Sequence, residues 1–327
     1  MEERVAGPSG ADRREAALRK FGRDLMHRWE GNPIITIEDL PFQCSDICNA
    51  GAVKLRQQYL LLLTIESLAG RKAIYPAWSG DGYHFTVEDS PVLSPATEGP
   101  YAIYESQGVL DPRIVWLEDK YYLTYQALSG HGYVMAIART EDFQLVERVG
   151  IVTEPDCKSG ALFPVRIRDK YARLERPAEG GTIWVAYSED LVYWGGREAV
   201  VTPRGGYWDD HHVGPAAPPI EIPEGWLCLY YGVKLTSSGP LYRLGAAILE
   251  RDDPSVLLGR TNVPILAPRE TYERIGDLPN IIFSCGAILE PNRVLKVYYG
   301  GSDSCICLGT SRLRHIVASC LQPDTEF

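Results

Sequence analysis

The chain has 327 residues, of which 45% are hydrophobic, and it carries 31 glycines and 23 prolines. This composition indicates a substantial core with many turns and argues against disorder. The formal net charge of −10, without a basic stripe, argues against a nucleic-acid partner. No apolar run is long enough for a transmembrane helix, so we expect no membrane partner.

The N-terminal part is predicted to form an extension of the main domain. Residues 1–11 have the character of a flexible leader, whereas residues 12–28 carry apolar side chains at helical spacing and predict one amphipathic helix. No linker-like stretch divides the rest of the chain. We therefore predict a leader and helix over residues 1–30 and a single domain over residues 31–327.

Five loosely similar units follow the extension. Each has a turn, an apolar strand, a polar turn, a second aromatic-rich strand and a third apolar strand. The units occupy residues 51–82, 112–138, 161–187, 217–249 and 285–309. All-β units repeated at roughly 50-residue intervals predict a five-bladed β-propeller, an all-β fold. A long β-sandwich or solenoid is the alternative, but the recurring turn before the aromatic-rich strand favours the propeller.

Polar residues stand at the same place in successive units. In a propeller the first strand of each blade lines the central channel, so these residues would converge on one mouth, where ligands bind. They are Asn49, Asp111, Arg113, Lys158, His212 and Ser284, and Asp303 ends a second strand. Asp111 is followed by a rigid proline and a cation, as a directed general acid requires, although Asp-Pro alone is a common turn.

Eight cysteines are spread along the chain, and several stand inside apolar runs, as Cys228 does. No CxxC pair occurs, and the Cys305-x-Cys307 spacing does not match a zinc site. His211 and His212 lack a third ligand at a suitable spacing, so we predict neither a metal nor a cofactor. Mostly reduced thiols and a charged N-terminus without the apolar segment of a signal peptide indicate a cytoplasmic protein.

Several motifs in order resemble glycoside hydrolase family 130, the β-mannoside phosphorylases and their hydrolytic relatives. The resemblance covers nearly the whole chain after residue 30. The motifs are Asn32-Pro-Ile-Ile-Thr36, Asn49-Ala-Gly-Ala-Val-Lys54, Asp111-Pro-Arg113, Ala161-Leu-Phe-Pro164, Trp208 with Val213-Gly214 and Pro218-Pro219, Gly225-Trp-Leu227, and Tyr298-Tyr-Gly-Gly-Ser-Asp303. The family is built on five-bladed propellers, which agrees with the repeat count.

The resemblance implies a catalytic role for one of these residues. Asp111 takes the place of the family's proton donor, whose proton passes through a mannose hydroxyl to the glycosidic oxygen with inversion of configuration. Asn49 and Asp303 match positions that hold the mannosyl unit, and Tyr242 matches a pocket tyrosine. The expected partner is a β-linked manno-oligosaccharide. N-terminal segments can join oligomer interfaces in this family, which leaves a homo-oligomer open.

A phosphorylase also binds inorganic phosphate as co-substrate, which requires cations and forked donors. Lys158 and Arg176 match phosphate-binding positions of the family, and in a phosphorylase we expect them to converge with His212 on the phosphate. His212 replaces a lysine, Thr64 an arginine and Tyr231 a histidine of the usual phosphorylase pattern. Each lost charge-assisted contact forfeits roughly 1.5–3 kcal/mol of anion binding.

This loss favours, narrowly, a hydrolase (a β-mannosidase) over a phosphorylase. The segment 208–212 is acidic, and Asp209 or Asp210 is the predicted base that activates water. A non-catalytic sugar-binding propeller is the third alternative, which the positioned acid argues against. Trp208 is a candidate for stacking on a sugar. The predicted substrate-binding residues are Asn49, Arg113, Trp208, His212, Tyr231, Tyr242 and Asp303.

Overall fold

Strands dominate the computed structural model, which describes residues 24–322. The strands of that range are His27–Arg28 (β1), Asp46–Leu55 (β2), Gln58–Glu66 (β3), Lys72–Ser79 (β4), Thr86–Val87 (β5), Gly108–Leu117 (β6), Lys120–Ser129 (β7), Gly132–Thr140 (β8), Glu147–Ile151 (β9), Lys158–Leu162 (β10), Tyr171–Arg176 (β11), Ile183–Ser188 (β12), Trp194–Val201 (β13), His212–Pro215 (β14), Ile220–Ile222 (β15), Gly225–Thr236 (β16), Gly239–Leu249 (β17), Leu257–Arg260 (β18), Ile282–Leu289 (β19), Val294–Gly301 (β20) and Cys305–Arg312 (β21).

Helical structure is scarce in the same range. It consists of two 3₁₀ turns, Ile37–Asp39 and Glu179–Gly181, and two α-helices, Thr271–Arg274 and Leu313–Leu321. None of these described helices is long and apolar enough to cross a membrane. The fold is therefore all-β, as the sequence predicts.

The five repeats correspond to five antiparallel units. The first contains β2–β5, the second β6–β9, the third β10–β13, the fourth β14–β18, and the fifth β19–β21 together with β1. A single parallel pair, Lys72 with Gly108, joins the first two units into one sheet. The first strands lie near one another, because β2 contacts both β6 and β19, and β10 contacts both β6 and β14.

The N-terminal helix predicted over residues 12–28 is not supported. His27–Arg28 form β1, which pairs antiparallel with β21 opposite Gly309 and Thr310. Residues 24–26 are not helical either, and residues 12–23 of the predicted helix lie outside the described residues. The open edge of β21 offers backbone partners to the incoming chain, and this tertiary pairing overrides the local helical pattern. The fifth sheet thus includes residues that precede the boundary predicted at residue 31.

The leucine run of β3 shows how the core is built. Leu60 and Leu62 pack with Leu123 of the second unit, whereas Leu61 and Leu63 pack with residues of the fifth unit. Alternate side chains of a strand point to opposite faces, so a sheet covered on both sides needs a continuous apolar run. Full burial of each such side chain contributes roughly 1.5–3 kcal/mol.

Candidate active site

Four of the first strands carry a β-bulge at the same end; that of β19 lies between Ser284 and Gly286, and the other three contain a left-handed residue. The register shifts around Asn49 in β2, between Leu110 and Arg113 in β6, and around Ser159 in β10. Asn49, Asp111 and Ser159 adopt left-handed φ values of 44°, 56° and 59°. Bulges re-aim a side chain and are frequent beside active sites. This repeated irregularity turns polar side chains out of the regular strand pattern.

Asp111 and Asn49 are brought into direct contact. The Asn49 Nδ2 amide donates to Asp111 Oδ1 at 2.7 Å. Asn49 Oδ1 is buried and has no hydrogen-bond partner among residues 24–322. A Cβ at Gly300 would lie 2.9 Å from that oxygen, so the glycine permits the close approach. The amide therefore fixes the carboxylate and keeps an acceptor for a further donor, such as a sugar hydroxyl.

Asp303 belongs to the same cluster. It lies in the turn between β20 and β21 with φ 51°, and its Oδ1 is buried without a partner among the described residues. Burial raises the pKa of Asp303 to about 7, and the nearby charge of Asp111 adds to the rise. Two close carboxyl groups resist carrying two charges. Asp303 therefore holds a proton over much of the acidic range.

Two residues that the sequence analysis missed belong to this neighbourhood. Burial and the charge of Asp111 raise the pKa of Tyr133. Lys72 forms an ion pair with Glu66, and its charge acts on Asp303 and Tyr133. Both residues begin or nearly begin the third strand of their unit. In an antiparallel unit the third strand starts at the same end as the first, which was the available sequence signal.

Lys158 and Arg176 lie directly opposite each other on the adjacent strands β10 and β11 of the third unit. The Lys158 ammonium lies 3.9 Å from the Tyr133 ring centroid, and Arg176 Nε is buried without a hydrogen-bond partner in residues 24–322. Burial, and then the charge of Arg176, lower the pKa of Lys158. Glu175, the neighbour of Arg176 in β11, pairs with Arg173 and Arg197 instead of with Lys158 or Arg176.

His212 lies beside these two cations. Burial, and then the charges of Arg176, His211 and Lys158, lower the pKa of His212 to about 4. Its ring is therefore neutral at pH 7 and can donate one hydrogen bond and accept another. The geometry thus brings Lys158, Arg176 and His212 together, which was the arrangement expected of a phosphate site.

Two tyrosines form the wall behind His212. The His212 ring centroid lies 6.1 Å from that of Tyr231 and 5.8 Å from that of Tyr242. Tyr231 is buried, and its hydroxyl lies 3.3 Å from the Ser159 hydroxyl. Tyr242 is only partly buried, and burial raises its pKa to about 12. The substrate-binding roles of both tyrosines remain predictions.

Arg113 does not fit its predicted role as a substrate ligand. Its side chain is only 1% exposed. The guanidinium donates to the backbone carbonyls of Asp111 at 3.0 Å, Pro215 at 3.3 Å and Ala216 at 2.5 Å. A side chain buried in this way and committed to three carbonyls has no free face for a sugar. Arg113 instead ties the Asp111 bulge to the fourth unit.

Trp208 was predicted to stack on a sugar, and its placement contradicts this. Its ring stacks on Tyr230 with centroids 5.5 Å apart and is buried in the core of the third and fourth units. A Cβ at either Gly232 or Gly245 would lie within 2.6 Å of the ring. These glycines therefore make room for a core tryptophan, not for a sugar platform.

Asp209 is equally unsuited to activating water. It is fully buried, and Arg204 binds its two oxygens at 3.0 and 2.9 Å while the Tyr230 hydroxyl donates at 3.0 Å. A fully buried carboxylate whose oxygens already accept from three donors has no free face for a water molecule. Asp210 is partly exposed and forms an ion pair with Lys234 at 3.3 Å. Neither acid shares a hydrogen-bond or ion-pair partner with Asp111 among residues 24–322.

Known proteins with similar sequences include several phosphorylases of β-mannosides. A family model described as beta-1,4-mannooligosaccharide phosphorylase matches residues 61–322. The beta-1,2-mannobiose phosphorylase of Listeria innocua is 37% identical over 232 residues, which cover 70% of this chain and 63% of that relative. The beta-1,4-mannooligosaccharide phosphorylase of Ruminococcus albus is 28% identical over 305 residues, 90% of each chain.

A solved structure resembles the whole fold. The complex of the Listeria innocua enzyme with beta-1,2-mannobiose superposes with a TM-score of 0.82 at 28% identity, covering 91% of this chain and 99% of that one. The relatives named here are phosphorylases. The comparisons therefore do not support the narrow preference for hydrolysis that the substitutions at positions 64, 212 and 231 suggested.

Proposed function

The chain belongs to glycoside hydrolase family 130, and from this membership we propose that it is a β-mannoside phosphorylase. In this proposal it cleaves terminal β-mannosidic bonds of manno-oligosaccharides with inorganic phosphate and inverts the configuration. Relatives with the higher identity are named for β-1,2 linkages, so β-1,2-mannobiose is the first substrate to test.

The observation that carries the proposal is the unbalanced positive charge on the third sheet. Lys158 and Arg176 are neighbours, and neither forms an ion pair with a carboxylate among residues 24–322. Both residues are partly buried, and holding two cations side by side there is unfavourable unless an anion offsets their repulsion. A phosphate dianion meets that need, and Arg176 Nε provides a donor of the kind that forked phosphate recognition uses.

The proposed reaction assigns the two sides of the site different tasks. The bond between the mannosyl C1 and the leaving oxygen breaks, while a phosphate oxygen bonds C1 from the opposite face. Asp111 loses a proton that ends on the leaving oxygen, through a mannose hydroxyl as the family resemblance implies. Asn49 Oδ1 and Asp303 are the acceptors proposed to orient the mannosyl hydroxyls. The products are mannose 1-phosphate and the shortened acceptor.

We also propose that the five antiparallel units close as a five-bladed propeller. Two contacts between the chain ends support closure. The N-terminal β1 completes the fifth unit beside β21, and the first strand of the first unit contacts the first strand of the last. Closure would place Asn49, Asp111 and Lys158 around one channel mouth.

The deciding experiment incubates the protein with β-1,2- or β-1,4-mannobiose, each with and without inorganic phosphate. Mannose and mannose 1-phosphate are then measured separately. We expect mannose 1-phosphate to form only when phosphate is present. Free mannose released at a phosphate-independent rate would overturn the proposal and make the protein a hydrolase.

A further inference from the structure

The backbone of Asp111 is held as firmly as its side chain. Asp111 occupies a left-handed conformation within the β6 bulge, which is costly for a residue with a Cβ. Its N–H donates to Thr64 Oγ1 at 3.0 Å, and its carbonyl accepts from Arg113 at 3.0 Å. With the Asn49 contact, side chains from two neighbouring strands, β2 and β3, and one from its own strand hold Asp111.

Thr64 acts on Asp111 from behind the site. It lies near the end of β3, in the first unit, and its side chain is fully buried. A side chain without exposure cannot contact a sugar in solution. Its hydroxyl nevertheless accepts the one backbone N–H that the bulge withdraws from the β6–β7 ladder. An unsatisfied buried N–H costs about 1–3 kcal/mol.

Arg113 completes the support from the other side. Its guanidinium joins the Asp111 carbonyl to the carbonyls of Pro215 and Ala216. Pro215 ends β14, the strand that begins at His212, and Ala216 directly follows it. The same buried cation therefore sets the Asp111 bulge relative to the strand that carries part of the cation site.

We propose that Thr64 and Arg113 are positioning residues that hold the Asp111 carboxyl in the direction of proton transfer. The inference rests on the proposed role of Asp111 as proton donor. It also gives position 64 a function, because the family resemblance expects a phosphate-binding arginine there. In this chain that position serves the acid and not the anion.

The test compares Thr64→Val, which removes the hydroxyl at nearly constant shape, with Thr64→Ser, which retains it. A misdirected catalytic group can cost up to about 100-fold in rate, so we expect kcat of Thr64→Val to fall roughly 10- to 100-fold with little change in the KM for mannobiose. Thr64→Ser should recover most of kcat.

Thr261→Val is the matched control. Thr261 is also fully buried, and its hydroxyl accepts a backbone N–H, that of Ala246 in the fourth unit. The melting temperature of Thr261→Val should fall about as much as that of Thr64→Val. The kcat of Thr261→Val should stay near the wild-type value. An equal loss of kcat in both variants, or none in either, would overturn the inference.

Arg113→Lys provides a second readout, because lysine keeps the charge but cannot reach three carbonyls in a fork. We expect kcat to fall while the KM for phosphate changes little. A higher KM for phosphate with unchanged kcat would make Arg113 an anion ligand and overturn its positioning role. Turnover by Asp111→Asn separates the two proposals: if that variant stays active, the proton-donor assignment itself fails, whatever Thr64→Val does.

Discussion

The bulges of the second and third units, in β6 and β10, have the same backbone form and opposite chemistry. At the β6 bulge, the carboxylate, N–H and carbonyl of Asp111 each have a protein partner. At the β10 bulge, Lys158 lies over the Tyr133 ring, and Arg176 Nε has no partner in the described chain. One bulge fixes a single group in one direction, whereas the other places two cations side by side, neither of them in an ion pair with a carboxylate of residues 24–322.

The difference follows from what each side must do. A group that delivers a proton loses rate when its direction changes, so its neighbours should restrain it. A site for a diffusible dianion should instead keep its donors available, because any internal carboxylate would compete with the ligand. We therefore expect substitutions at the β6 bulge to lower kcat, and substitutions at the β10 bulge and its partner Arg176 to raise the KM for phosphate.

Asp111→Asn should give the largest loss. The amide keeps the shape and the left-handed backbone but cannot release the proton, so we expect kcat to fall by about 10²- to 10⁴-fold. Binding of mannobiose, measured by calorimetry, should persist. Asp119→Asn is the control, since Asp119 is exposed and left-handed at the other end of the same hairpin. Near-normal turnover by Asp111→Asn would show that Asp111 is not the proton donor.

Arg176→Met should give the next largest effect, and on a different parameter. Loss of a charge-assisted contact of roughly 1.5–3 kcal/mol corresponds to about a 10- to 150-fold higher KM for phosphate. The KM for mannobiose should change far less. Arg168→Met is the control, because Arg168 is exposed in the turn between β10 and β11 and pairs with Asp253. An unchanged KM for phosphate would show that the second bulge does not bind the anion.

The sequence predicted the repeats well because each unit carries its own turn and apolar run, and these local signals need no distant partner. It also placed Asn49 and Asp111 together, since equivalent strand starts converge. It failed at His27–Arg28, where the pairing partner is β21, far along the chain. A strand formed on another strand's open edge has no local signature.

The site was predicted less completely, because the sequence shows which residues are polar but not which groups they bind. Arg113 looked like a ligand, but its partners are backbone carbonyls, which a side-chain motif cannot show. Asp209 stood in an acidic run, yet Arg204 and Tyr230 enclose it. The sequence indicates several of the residues that lie near Asp111, but it does not show which side chains already have hydrogen-bond partners within the protein.

Asp303→Asn should alter the pH dependence of stability. A carboxyl whose pKa is about 7 when folded and about 3.9 when unfolded binds more protons in the folded state, so the free energy of unfolding falls as pH rises from about 4 to 7. The asparagine variant should lose this slope, which is at most about 1.4 kcal/mol per pH unit. Urea unfolding at several pH values measures it. A parallel decline in both proteins would show that folding does not raise the pKa of Asp303.

Asp209→Asn should have the smallest effect on turnover and a large one on stability. Replacing the buried carboxylate leaves Arg204 without its bidentate partner, which costs about 3–5 kcal/mol in comparable buried pairs. Asp210→Asn is the matched control, because its partly exposed pair with Lys234 contributes about 0–1 kcal/mol. Thermal unfolding and kcat should be measured on both variants at a temperature where each is folded. If Asp209→Asn slows mannobiose cleavage without lowering stability, Asp209 takes part in the chemistry, and hydrolysis becomes the better reading of the site.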